Sequence, residues 1–134
     1  MTTNNEPFLS IVIPAYNEER RLPATLAAIK AFLVNEPYTA EVIVVDDGSE
    51  DRTAEVAEAA GATVLRCEHR GKGFAVRTGA LAARGDIILL CDADLATPIE
   101  EWPRLRAAIE RGYPIAIGSR EGIGASREGE PWYR

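Results

Sequence analysis

Four times along this chain a short apolar run gives way, within a few residues, to a stretch with helical spacing, and that alternation restricts the fold more than any other feature. Phe8-Leu9-Ser10-Ile11-Val12-Ile13, closed by Pro14, reads as a first strand. Leu22, Leu26, Ile29, Ala31, Phe32 and Leu33 then recur at helical spacing, with Pro23 tolerated in the first turn, and Asn35-Glu36-Pro37 ends the helix. Glu41-Val42-Ile43-Val44-Val45 is a second strand, and Asp46-Asp47-Gly48-Ser49 is turn chemistry that offers an N-cap to a helix over 51–60, with Gly61 as its C-cap. A third strand over 62–67 precedes a helix opened by Gly71-Lys72-Gly73 and running to about Ala83. The run Ile87-Ile88-Leu89-Leu90-Cys91 has no polar alternation, which predicts a fourth strand buried on both faces. A helix over 98–111 and a fifth strand over 114–118 follow, and 119–134 reads as a glycine-rich, charged loop. Short connections between alternating strands and helices predict an α/β fold: one domain over 1–134, core 8–118, with a mostly parallel, doubly wound sheet and helices on both faces.

Composition narrows the classes. A chain of 134 residues, 46% hydrophobic and 27% charged, has the makings of one ordinary core. A formal charge of -6, with arginines interleaved among Glu and Asp, leaves no basic stripe for nucleic acid. Cys67 and Cys91 sit in or at the end of apolar strand signals and read as reduced core residues. No apolar run approaches the roughly eighteen residues of a membrane span, and the first residues lack the basic and apolar regions of a signal peptide. The expectation is a cytoplasmic protein whose membrane contact, if any, is peripheral.

In a parallel sheet all carboxyl ends of strands face one edge, so polar clusters distant in sequence converge there. Pro14-Ala15-Tyr16-Asn17-Glu18, Asp46-Asp47-Gly48-Ser49, His69-Arg70-Gly71-Lys72-Gly73 and Asp92-Ala93-Asp94 each follow a strand. Any one of them reads equally as caps and turns. Four at one rim is more than capping requires, because the acids raise one another's pKa unless a cation joins them. Asp92 and Asp94, hard oxygen donors with one residue between them, suit Mg²⁺ or Mn²⁺ bridging the oxygens of a nucleoside diphosphate. Lys72 and Arg77, on the first turns of a helix, are placed to hold phosphate, while Asp46 or Asp47, with Glu18 and Tyr16, suits a base or ribose.

Taken in order, Ile11-Val12-Ile13-Pro14-Ala15-Tyr16-Asn17-Glu18-Glu19, Val44-Val45-Asp46-Asp47-Gly48-Ser49, Gly71-Lys72-Gly73 with Arg77 and Gly79, Asp92-Ala93-Asp94-Leu95 and Gly118-Ser119-Arg120 resemble the amino-terminal part of family 2 glycosyltransferases of the GT-A fold. The resemblance is to the branch of dolichyl-phosphate glucosyltransferases and mannose synthases. It implies inverting transfer of a hexose from a nucleotide-sugar to a polyprenyl-type phosphate, dependent on Mg²⁺ or Mn²⁺. It also implies that Pro14, Tyr16 and Glu18 line the nucleoside pocket, that Asp46 or Asp47 contacts base or ribose, and that Ala93 lies in the donor site between the metal ligands Asp92 and Asp94. Asp94 and Arg120 are then the catalytic residues, with Arg120 and Arg134 holding the acceptor phosphate. Ala96 stands where mannose synthases often carry Gln, which favours UDP-glucose over GDP-mannose as donor. The resemblance further implies that an acceptor half lies beyond Arg134.

Other readings make different demands. A phosphatase using DxD as nucleophile and acid wants the motif near the chain start, with Thr or Val where Ala96 stands. A dinucleotide-binding dehydrogenase wants a Gly-x-Gly-x-x-Gly after the first strand, which is absent. A nucleotide-sugar-binding module without turnover, or a transferase with a saccharide acceptor, would share the donor residues and differ in product.

Overall fold

The computed structural model describes residues 6–94, 99 and 102–110. Eight elements alternate along them: β1 (Leu9–Ala15), α1 (Leu22–Leu33), β2 (Ala40–Asp46), α2 (Thr53–Ala59), β3 (Thr63–Arg66), α3 (Lys72–Ala82), β4 (Ile87–Leu90) and α4 (Trp102–Glu110). The fifth strand expected over 114–118 and the loop carrying Arg120 and Arg134 lie outside the described residues.

All described pairings are parallel, in the order β3-β2-β1-β4. The chain therefore winds outward from β1 to β3, crosses back, and lays β4 on the other side of β1. That reversal is a topological switch point, and the loops after β1 and β4 diverge there to leave a crevice.

Period-two alternation in β1 decides which helix covers which face. Leu9, Ile11, Ile13 and Ala15 point into a core shared with Leu22, Leu26 and Ile29 of α1, Ala57 of α2 and Trp102 of α4. Val12 points the other way, with Ile43, Val45 and Ala75 of α3. Helices thus lie on both faces, as the alternation predicts. Pro14 does not close β1: it pairs with Val45 within the strand. The Val12 carbonyl accepts the Cys91 N–H at 3.0 Å, so the backbone polar groups of Val12, and of Pro14 two residues on, face β4, which ends at Leu90. The N–H that proline lacks has no partner strand to miss.

The fourth strand departs from its reading. Leu89 is buried, but Ile88 and Leu90 are 41% and 38% exposed. Hydrophobicity reported the strand; it did not report that α3 packs mainly over β1 and β2, so that described residues cover that face of β4 only in part. The α2 cap also differs: Ser49 is engaged elsewhere, and the Asp51 carboxylate accepts the Thr53 N–H at 2.9 Å. Burial pushes the Asp51 carboxyl up, but hydrogen bonds from the Thr53 hydroxyl and from the Thr53 and Glu19 N–H groups outweigh it and hold it below the usual range. At the other end Gly61, at φ +90°, forms the expected stop, with Ala62 N–H on Ala57 O and Gly61 N–H on Glu58 O closing the turn.

Where α3 meets the sheet, a Cβ on Gly79 would sit 2.4 Å from Val12 Cγ1 and 2.9 Å from Val45 Cγ2. Gly79→Ala gains about 1 kcal/mol of helix propensity. Against this, overpacking between fully buried valines costs about 1–3 kcal/mol and also moves α3. The expected result is net destabilisation of up to about 2 kcal/mol, read as a lower denaturant midpoint at unchanged slope; a midpoint above wild type would mean the helix shifts freely.

Candidate active site

The loops at the switch point are tied before any ligand arrives. Asn17 adopts φ 54°, the left-handed region that Asn tolerates. Its side-chain oxygen accepts the Glu50 N–H at 2.9 Å and its own N–H donates to Ser49 Oγ at 2.9 Å. The Glu18 N–H donates to Thr53 Oγ1 at 2.8 Å and the Glu19 N–H to Asp51 at 3.3 Å. The loop after β1 is thereby stapled to the loop after β2, and Tyr16 and Glu18 are set at the cleft.

The two acids after β2 part company. Asp46 is buried, its carboxylate accepts the Ser49 N–H at 3.1 Å, and it is absent from the described lining of the cleft. Asp47, 4% exposed, does reach the cleft. Its carboxylate accepts the Arg70 N–H at 2.8 Å, the Gly71 N–H at 3.1 Å and His69 Nδ1 at 2.9 Å, so the loop after β3 is folded around it. His69 Nδ1 also lies 3.0 Å from the Asp47 carbonyl. Both partners only accept, so Nδ1 carries the proton. Gly48 makes this approach possible: at φ +71°, any Cβ there would stand 2.6 Å from the His69 backbone nitrogen. Held in this way, the imidazole stacks on Tyr16, with ring centroids 4.2 Å apart at 23°.

Across the crevice, Asp92 and Asp94 follow β4. Between them Ala93 is buried, and its carbonyl accepts the Thr25 hydroxyl of α1. Lys72 Nζ lies 2.7 Å from Asp92 Oδ1 and Arg21 Nη1 3.5 Å from Asp94 Oδ2. Burial, with the Asp92 charge beside it, pushes the Cys91 thiol up to about 12. The result is a cleft of about 330 Å³, to which all four loops contribute: Pro14, Tyr16 and Glu18; Asp47; His69, Gly71 and Lys72; Asp92, Ala93 and Asp94. Arg77 is exposed on α3 and lies away from the described lining. At about 100° per residue it stands roughly 140° round the helix from Lys72.

The family model for glycosyl transferase family 2 matches residues 10–134. The chain belongs to that family. Within it, the chain is 45% identical to the dolichyl-phosphate beta-glucosyltransferase of Drosophila melanogaster, over 84% of this chain and 40% of that protein. It is 38% identical to the undecaprenyl-phosphate 4-deoxy-4-formamido-L-arabinose transferase of Pseudomonas aeruginosa, over 94% of this chain and 38% of that protein. The chain thus spans about two fifths of the length of these curated relatives. Among solved structures it matches glucosyl-3-phosphoglycerate synthase of Mycobacterium tuberculosis in complex with UDP, at TM-score 0.66 and 32% identity over 79% of this chain and 41% of that one. A further crystal structure of that synthase holds Mn²⁺, UDP and glucosyl-3-phosphoglycerate. The parallel sheet expected from the alternation and the GT-A fold that the resemblance implies are therefore both borne out by these proteins.

Two residues of this family 2 chain that hold cleft residues from behind the described lining have no signal of that role in the motifs. Arg21 and Thr25 precede or lie in α1 and look like ordinary helix residues. The one local signal is the i, i+3 spacing of Glu18 and Arg21, whose side chains lie 3.6 Å apart.

Proposed function

We propose that the protein transfers a hexose, with inversion, from a nucleotide-sugar to a polyprenyl (dolichyl-type) phosphate at the cytoplasmic face of a membrane. UDP-glucose is the favoured donor, ahead of GDP-mannose. The observation that carries this reading is the meeting of Asp92, Asp94 and Lys72 with the stacked Tyr16–His69 pair across one cleft at the switch point. One end suits a diphosphate and a cation, the other presents aromatic surface to a base. The acceptor class draws support from relatives named for dolichyl-phosphate and undecaprenyl-phosphate.

The residues fit a divalent cation. Asp92 and Asp94 keep 33% and 28% of their side chains exposed, and each already attracts a cationic side chain. Among the described residues no group of three or more His, Cys, Asp or Glu gathers. Two carboxylates completed by diphosphate oxygens and water make a donor set for Mg²⁺ or Mn²⁺, not for a softer metal. When bound, the cation neutralises charge growing on the departing nucleoside diphosphate. Lys72 adds a second positive charge on the phosphates, Glu18 accepts from ribose hydroxyls, and Asp47 acts on the base end by fixing the loop that carries His69. The Thr25 bond to Ala93 holds the backbone between the two carboxylates in place. No general base is required, because the acceptor phosphate is ionised at neutral pH and attacks opposite the leaving group. We assign that phosphate to Arg120 and Arg134 on the sequence alone.

Incubation with UDP-glucose, Mn²⁺ and a short polyprenyl phosphate should give a β-linked glucosyl lipid phosphate, abolished by EDTA and formed poorly from GDP-mannose. An α-linked product would refute inversion, and undiminished transfer in EDTA would refute metal dependence. Metal-dependent UDP binding without turnover would reduce the protein to a donor-binding module.

A further inference from the structure

Asp92 and Asp94 each already hold a cation supplied by the chain itself. The Lys72 ammonium is 2.7 Å from Asp92 Oδ1, and Arg21 spans two acids, Nη1 lying 3.5 Å from Asp94 Oδ2 and Nε 3.6 Å from Glu18 Oε1. The two cations arrive from different elements, Lys72 as the first residue of α3 and Arg21 just before α1. Both side chains are long and largely exposed, at 67% and 62%, so either head group can move several ångströms without disturbing the core.

We propose that Lys72 and Arg21 are resident counter-cations of the Asp92–Asp94 pair, which makes the cleft take up divalent cation and nucleoside diphosphate together instead of the cation first. This rests on the reading of that pair as the metal site. Three acids and two bases leave one excess negative charge among these five side chains. A divalent cation arriving alone turns that into one excess positive charge and displaces the ammonium into water, losing its ion pair with no new anion in exchange. A divalent cation arriving with a sugar nucleotide, whose diphosphate carries two negative charges, returns the balance to its starting value. The diphosphate also gives Lys72 new oxygens in exchange for those of Asp92. Metal and nucleotide then raise each other's affinity by one common factor, as linkage requires.

That factor is the measurement. Mn²⁺ is titrated into the purified protein by calorimetry, alone and with saturating UDP, for wild type, Lys72→Met, Lys72→Arg and Arg21→Met, with circular dichroism confirming the fold of each. Exposed ion pairs are weak, so Lys72→Met should bind Mn²⁺ alone only about three- to five-fold more tightly than wild type. Because the same substitution removes a charge from the phosphates, the coupling factor should fall at least about ten-fold. Lys72→Arg should restore most of it. Arg21→Met should move both quantities the same way by about two-fold, given its longer contact and its second partner Glu18. If Lys72→Met binds Mn²⁺ no better than wild type and keeps the wild-type coupling, the counter-cation role is wrong, while Mn²⁺-dependent UDP binding by wild type still upholds the metal site. If wild type binds no Mn²⁺ with or without UDP, the metal reading falls and takes this inference with it.

Discussion

Asp94→Ala is expected to remove the metal dependence of UDP binding and to lower turnover at least about 100-fold, close to 3 kcal/mol of transition-state stabilisation. The effect should be confined to chemistry. Asp94 follows β4, keeps 28% of its side chain exposed, and its partner Arg21 retains Glu18 within 3.6 Å. Removing a partly exposed carboxylate from such a place costs about 0.5 kcal/mol of stability or less, so the variant should melt with wild type. A carboxylate that merely capped a turn would behave oppositely, losing stability and leaving nucleotide binding intact. Isothermal titration with UDP, with and without Mn²⁺, decides between them; metal-dependent binding unchanged in Asp94→Ala removes this residue from the ligand set. Asp94→Asn should recover little, since an amide oxygen lacks the charge that holds a hard cation.

The sequence was informative where one local property dictates structure. Unbroken runs such as Ile11-Val12-Ile13 and Val42-Ile43-Val44-Val45 report strands, Gly61 reports a helix stop, and strict alternation of strand and helix reports a parallel sheet covered on both faces. Knowing that parallel strands share an edge was also enough to expect polar residues from four loops around one cleft. What stayed hidden depends on strand order and on direction around a helix. Nothing local says that β4 lies beside β1, yet that neighbourhood brings Lys72 to Asp92 and Arg21 to Asp94. Lys72 and Arg77 look alike as basic residues at the start of a helix, but only the first lies on the cleft. Ile88 and Leu90 look as apolar as Leu89, and only the placement of α3 separates them. Asp46 and Asp47 are adjacent and chemically identical, yet one closes its own turn and the other gathers a loop 22 to 24 residues away.

That last distinction predicts the second large effect. Asp47→Ala should destabilise the protein by about 3 kcal/mol, the most of any substitution in the cleft, and weaken UDP binding about ten-fold although the carboxylate need never touch the nucleotide. Asp47 is 4% exposed, and its carboxylate accepts from two backbone N–H groups and an imidazole N–H, a nest around an internal anion. Each charge-assisted bond is worth about 1.5–3 kcal/mol, but the three share one acceptor and the loop itself is partly open to water, so they do not sum. Alanine leaves those donors facing an apolar stub. The loop then loses the contacts that set His69 against Tyr16 and Lys72 against Asp92, which loosens the base and phosphate ends of the cleft together. Asp47→Asn should fall between the two, since its one oxygen still accepts while its amide N–H₂ meets backbone donors head-on. Asp46→Ala, by contrast, should leave the Tyr16–His69 pairing in place and cost nearer 1 kcal/mol, the value of one Asx turn. Denaturant midpoints and UDP titrations on the three variants test this ordering. Wild-type stability in Asp47→Ala would show that the loop folds without its anion, and Asp47 would then be free to serve as a direct contact for the base.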